Sequence, residues 1–172
     1  MTQEEFERIV IQYMDSFTTM TVACCADRVP WAADVFYARQ RLELIFFSSP
    51  SSRHCTAFLD NPAAAVTIHG DYRRWKEIKG LQMEGQVERI AGATARAGAL
   101  ATYLKRYPFV KEFFSQDGAT PGELAKKVAG VDLYIFRPFQ IFYTDNEEGF
   151  GTRWKVQIQN GRPAGDPIPV TH

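Results

Sequence analysis

The sequence predicts a mainly β (α+β) fold, an antiparallel split β-barrel with peripheral helices, and three observations point there. Short runs rich in β-branched, aromatic and small apolar residues recur along the chain, separated by tight polar turns. The helical patterns sit at the N-terminus and between strands, without the regular strand–helix alternation of a parallel sheet. Two glycines, Gly80 and Gly85, interrupt the longest strand pattern, where a barrel would bend or bulge at a corner.

The elements follow in order. Thr2 and Glu5 form a T-x-x-E capping box. Behind it Phe6, Ile9, Val10, Tyr13, Met14 and Phe17 recur at helical spacing, predicting a helix over 3–17. "TMTVACCA", "WAADVFYAR" and "RLELIFFSS" read as three antiparallel strands, with turns at Asp27-Arg28 and Arg39-Gln40-Arg41. A short helix after Ser52 places Cys55, Phe58 and Leu59 on one face and stops at Asn61-Pro62. "AAAVTIHGD" and "WKEIKGLQMEGQVERI" read as the next two strands. Residues 93–114 read as a helix with a break at Tyr107-Pro108, and Pro121 to Val128 as a second short one. "VDLYIFRPFQIFYTD" is strand-like, with Pro138 splitting it or placing it at an edge. One domain over 1–162 and a loose tail over 163–172 complete the division.

Composition narrows the function classes. With 172 residues, 45% hydrophobic, the chain can bury a core as one domain. Lys+Arg and Asp+Glu are both 20, so formal net charge is zero, which disfavours a general nucleic-acid binder and leaves little repulsion between copies. Cys24, Cys25 and Cys55 make an odd set without a C-x-x-C, so reduced thiols and a cytoplasmic location are expected, with no disulfide framework. No apolar run approaches membrane-spanning length, and His54, His69 and His172 lack metal-ligand spacing. No nucleophile with a base beside it can be read, and no catalytic residue is assigned.

"FFSSPSSRH" carries the clearest chemistry. A strand ending near Ser49 and a helix beginning at Arg53 make this a strand-to-helix turn. Helix N-termini expose unpaired N–H groups and the positive end of the macrodipole. Ser48, Ser49, Ser51 and Ser52 add hydroxyls, Arg53 a planar fork for an anion and His54 a further donor. One reading is a terminal phosphate held at the barrel rim; the other is a serine that only caps the helix beside a solvated arginine. "YRRWKEIKG" clusters cations around Trp75, as a solvated hairpin or as a rim for an anionic substrate. "EEGFGTRW" suits a turn or a mobile loop.

The order of "VPWAADVFY", "LELIFFSSPSSRH", "FLDNPAAAVTI" and "IKGLQMEGQVERI" resembles the pyridoxamine 5'-phosphate oxidase-like family of FMN-binding split barrels, over roughly residues 3–145. The closing "DNEEGFGTRWKV" resembles a separate branch more than the biosynthetic oxidase. The resemblance implies an FMN site. Phe47, Ser48 and Ser49 match the strand end beside the flavin and its ribityl phosphate, and Ser52 and Arg53 the phosphate-binding pair. His54 stands where the oxidase has a lysine. Asp34 and Val35 lie on the strand running along the ring edge, where Ala33-Asp34 replaces an expected arginine. Gln82 matches a polar residue near the ring, and Trp75, Lys79 and Gln82 could each come from either subunit of a homodimer. The implied function is a flavin-dependent oxidoreductase acting on a small molecule. The alternatives are a non-catalytic flavin-binding or sensing module, and a haem-binding split barrel.

Overall fold

The structure, a computed structural model, describes residues 1–110 and 130–170. A helix α1 (Gln3–Asp15) precedes three strands, β1 (Thr19–Ala26), β2 (Val29–Gln40) and β3 (Glu43–Ser48). Helix α2 (Arg53–Asp60), strand β4 (Ala63–His69), a 3-10 turn (Trp75–Glu77) and strand β5 (Lys79–Arg89) follow. Then come α3 (Ala93–Arg106), β6 (Asp132–Asp145), β7 (Arg153–Gln159), β8 (Arg162–Pro163) and β9 (Ile168–Pro169).

Six strands close on themselves in the order β3-β2-β1-β4-β5-β6, all neighbours antiparallel, with β6 returning to β3. The split barrel expected from the sequence is what forms. One β6 edge pairs with β3 over Asp132–Phe136 and then with β7 over Gln140–Thr144. The other edge pairs with β5 along its length. Pro138 therefore neither splits β6 nor places it at a sheet edge. It occupies the gap between β3 and β7, where its missing N–H costs no ladder bond. Opposite it the register slips between Glu84 and Gly85, leaving Phe139 as the extra residue, half exposed. A Cβ on Gly85 would lie 2.2 Å from the Arg137 carbonyl oxygen and 2.8 Å from the Phe136 ring, so the crossing needs glycine.

Other differences from the sequence reading are local. The capping box of α1 forms in both directions, Glu5 N–H to Thr2 Oγ1 at 3.2 Å and Thr2 N–H to Glu5 Oε2 at 3.3 Å. The helix ends at Asp15, where the last turn tightens: the Ser16 N–H is shared between the Gln12 and Tyr13 carbonyls, and the Phe17 N–H reaches Met14, three residues back. Trp75 is not in a strand: Glu77 N–H reaches the Arg74 carbonyl at 3.0 Å, and β5 starts at Lys79. Helix α3 stops before Tyr107, which precedes Pro108 and adopts φ −124°, ψ 77°. The helix expected over Pro121 to Val128 lies outside the described residues. Residues 163–170, read as a tail, return to the body. Ala164 N–H bonds Gln157 O, Val170 N–H bonds Arg153 O, and Gln3 Nε2 donates to Pro163 O.

The inward phase of the strands and one face of α1 (Phe6, Val10, Met14) make the main core, with Val22, Tyr37, Leu44, Phe46, Leu81, Met83 and Phe136. Outside the barrel, α3 covers Ala38, Ile45, Leu133 and Ile135 with Ala99, Tyr103 and Tyr107, a second core. Arg106 pins that helix: it donates to the Phe17 carbonyl and to Asp15 Oδ1 (3.1 Å), and lies over the Tyr37 and Tyr107 rings. The outer face of β1, β4 and β5 remains uncovered by any described element.

Candidate functional site

The hydroxyl-rich corner is built by the end of β3 and the start of α2. Ser52 is the N-cap, its Oγ accepting from Cys55 N–H at 3.4 Å. Ser48 Oγ lies 2.7 Å from His54 Nε2 and 3.2 Å from Ser52 Oγ, and Ser52 Oγ lies 3.2 Å from His54 Nε2. The structure thus brings Ser48, Ser52 and His54 into one knot. His54 is buried, and its imidazole holds the two hydroxyls in place. Ser49 is half-buried and pairs with the exposed Ser51, Oγ to Oγ at 2.9 Å. The amides of Arg53 and His54, in the first turn of α2, have no acceptor among the described residues.

Arg53 turns to the other flank. Its guanidinium lies 4.3 Å from the centroid of the Trp31 ring and makes no ion pair or side-chain hydrogen bond among the described residues. A cavity of about 220 Å³ opens beside it, lined by Cys24, Trp31, Thr56 and the carboxylates of Asp27 and Asp60, among others. Beneath the corner, burial pushes the Cys55 thiol up, but His54, Ser48, Ser52 and Tyr134 outweigh it and bring it down to about 7. Burial first, and then the Cys55 contact, raise the Tyr134 phenol. Cys55 and Tyr134 carried no spacing signal in the sequence. The wrap of β6 past β3 brings Tyr134 opposite Phe46, two residues from Ser48.

A second arrangement lies on the outer face. The register sets Asp34 opposite Thr21, Thr21 opposite Thr67, Thr67 opposite Gln82 and Gln82 opposite Phe142, one row across five strands. At about 4.8 Å per strand, Asp34 and Gln82 stand roughly 14 Å apart. A groove of about 510 Å³ follows this row, lined by Thr21, Ala23, Ala65, Thr67, Gln82, Glu84, Phe142 and Arg153, among others. Asp34 accepts from Thr21 Oγ1 at 2.5 Å. Glu84 sits in the next row, also three strands from β2, so it and Asp34 form no carboxylate pair. The row and the corner spring from the same strands: the β2–β3 pairing ends at Tyr37–Phe46, two residues before Ser48 and three after Asp34.

The remaining site residues from the sequence stand elsewhere. Val35 packs against the main core and Phe47 against Tyr103, ring centroids 4.8 Å apart, under α3. Lys79 is bound to Glu147 (2.7 Å) and Asp145 (3.2 Å), which raises its ammonium pKa. Trp75 meets Phe150 edge-on at 5.1 Å, both solvent-exposed. Trp31, Thr21 and Thr67 are the residues that sequence reasoning missed. Strand alternation places Thr21 on the outward phase, but only the register shows that it faces Thr67.

Comparison with known proteins fits this architecture. No family model matches the chain. A UPF0306 protein of Photorhabdus laumondii is 30% identical over 110 residues, 63% of this chain and 76% of that protein. The chain belongs to the UPF0306 family. Among solved structures, a heme binding protein from Mycobacterium smegmatis matches with TM-score 0.64 at 17% identity, over 84% of this chain and 55% of that one. This UPF0306 chain thus spans about half the length of that neighbour. A Listeria innocua structure assigned as a pyridoxamine 5'-phosphate oxidase matches with TM-score 0.59 at 13% identity, over 79% and 95% of the two chains. An FAD-binding protein from Mesorhizobium loti gives 0.58 at 14% identity, over 76% and 88%. At these identities the likeness is one of fold. Among the described residues of the UPF0306 chain no helix is long and apolar enough to cross a membrane, and no group of three or more His, Cys, Asp or Glu is placed to hold a metal.

Proposed function

We propose that this UPF0306 chain binds flavin mononucleotide as a homodimer, the phosphate at the start of α2 and the ring along the outer row, for oxidation or reduction of a small molecule. The observation that carries the proposal is the donor set at the α2 start. Two amide N–H groups without acceptors and the Ser52 and Ser48 hydroxyls gather at that helix start, and the Arg53 guanidinium, free of any ion pair among the described residues, stands on the neighbouring flank over Trp31. That set suits a dianion: oriented amides, the helix dipole and a charge-assisted fork act together. The groove supports the ring. Its volume is that of a cofactor cleft, its walls are small and apolar, and the Gln82 amide and the Thr21 and Thr67 hydroxyls are spaced along it.

Bound flavin would supply two-electron chemistry that no side chain here can. The chain's own residues would position it. Ser52 and Arg53 would hold the phosphate, His54 would orient Ser48, and Gln82 would bond the polar edge of the ring. Ala23, Ala63 and Ala65 leave the outer face flat enough for a second copy to cover the groove and exclude water.

The test is flavin titration followed by fluorescence quenching, with FMN and riboflavin in parallel. Arg53→Ala should weaken FMN binding by about 1.5–3 kcal/mol, the worth of a hydrogen bond to a charged group, and leave riboflavin binding unchanged. Equal loss for both ligands would assign Arg53 to the fold and not to phosphate. A Soret band on haem addition, with no flavin bound, would favour the haem-binding reading.

A further inference from the structure

We infer that Trp31 is a positioning residue for the anion site, acting through Arg53; this rests on the FMN reading above. Trp31 and Arg53 are 22 residues apart in sequence, yet the guanidinium lies 4.3 Å from the indole centroid. Trp31 is 40% exposed and Arg53 is exposed as well, so this is not a core contact. A guanidinium resting on an aromatic face uses its π surface and keeps its in-plane N–H donors free. Those donors meet no carboxylate among the described residues, although Asp27 and Asp60 line the same cavity. Arg53 is thus held with its hydrogen-bonding capacity unspent.

The placement has a structural cause. Trp31 opposes Cys24 in the β1–β2 pairing, in the inward phase shared with Val22 and Met20. Beyond the barrel mouth that phase faces α2, whose Ala57 packs into the core, and the ring meets the first helical residue. A long arginine side chain loses rotamer freedom when it grips a ligand, and the indole removes part of that loss beforehand.

The experiment uses the full chain and three variants: Trp31→Ala, Arg53→Ala and the double variant. In the ligand-free protein, the Arg53 Nε–H proton should resonate upfield from the ring current and return to the ordinary position in Trp31→Ala. FMN binding should weaken about 2- to 5-fold in Trp31→Ala, the worth of an exposed cation–π contact, with riboflavin unchanged. Trp31→Phe should restore part of the loss. In the Arg53→Ala background, Trp31→Ala should cost nothing further. Additive losses, or equal losses for FMN and riboflavin in Trp31→Ala, would overturn the inference. If Arg53→Ala discriminates the two flavins while Trp31→Ala does not, only the inference fails. If neither does, the phosphate reading fails and takes the inference with it.

Discussion

Gly85→Ala is the sharpest test of how the barrel closes. The added methyl would sit 2.2 Å from the Arg137 carbonyl oxygen and 2.8 Å from two carbons of the Phe136 ring. Ordinary contact begins near 3.4 Å, so β5 and β6 must part by roughly 1 Å where Pro138 and Phe139 form the bulge. Neither obstacle yields readily. One is backbone in a paired strand, and Phe136 is fully buried and opposes Leu44 on the far side. Overpacking of this kind costs about 2–3 kcal/mol. In a domain of this size that lowers Tm by roughly 4–12 °C. The assay is urea and thermal unfolding followed by circular dichroism, with Gly98→Ala as the comparison. Gly98 lies inside α3 with nothing within 4 Å of its added Cβ, so alanine there should stabilise by up to about 1 kcal/mol. A Gly85→Ala protein within 0.5 kcal/mol of wild type would refute the close approach of the two strands.

Two further outcomes follow from the same geometry. Burial alone would raise the Asp132 carboxyl, but Arg96 at 2.5 Å and Arg89 outweigh it and hold it below the usual carboxylate range. Its contribution is complete above the unfolded value near pH 3.9 and fades as pH falls through the lower folded value. Urea unfolding of Asp132→Asn should therefore lose less stability than wild type below about pH 4, and parallel curves would contradict the pairing. Ala65→Glu, on the exposed face of β4, places a charge in the proposed dimer contact; light scattering should drop from twice the chain mass to the chain mass, whereas an unchanged dimer would place the interface elsewhere.

Much of this architecture was legible because local chemistry dictated it. The T-x-x-E box starts α1 as expected, Asp27-Arg28 makes the β1–β2 turn with both φ positive (51° and 65°), and Ser52 caps α2. Legibility failed where register decides. Pro138 reads as a strand breaker until β6 is seen to change partners beside it, and Trp75 reads as strand because its 3-10 turn has no period of its own. The corner residues Ser48, Ser52 and His54 were found together because they are neighbours in sequence. Trp31, Tyr134 and Thr67 reach the site only through folding. Arg53 was legible as the cation of the corner, but its indole neighbour was not, since no spacing rule links a strand residue to a helix N-terminus 22 positions later.

A crystal structure of the chain grown with FMN bears most directly on the whole account. The phosphate should accept from the Arg53 and His54 amides, Ser52 and the Arg53 guanidinium, with Trp31 still beneath the arginine and the ring beside Gln82. A phosphate bound away from α2, or a ring lying off the Thr21–Thr67–Gln82 row, would contradict it.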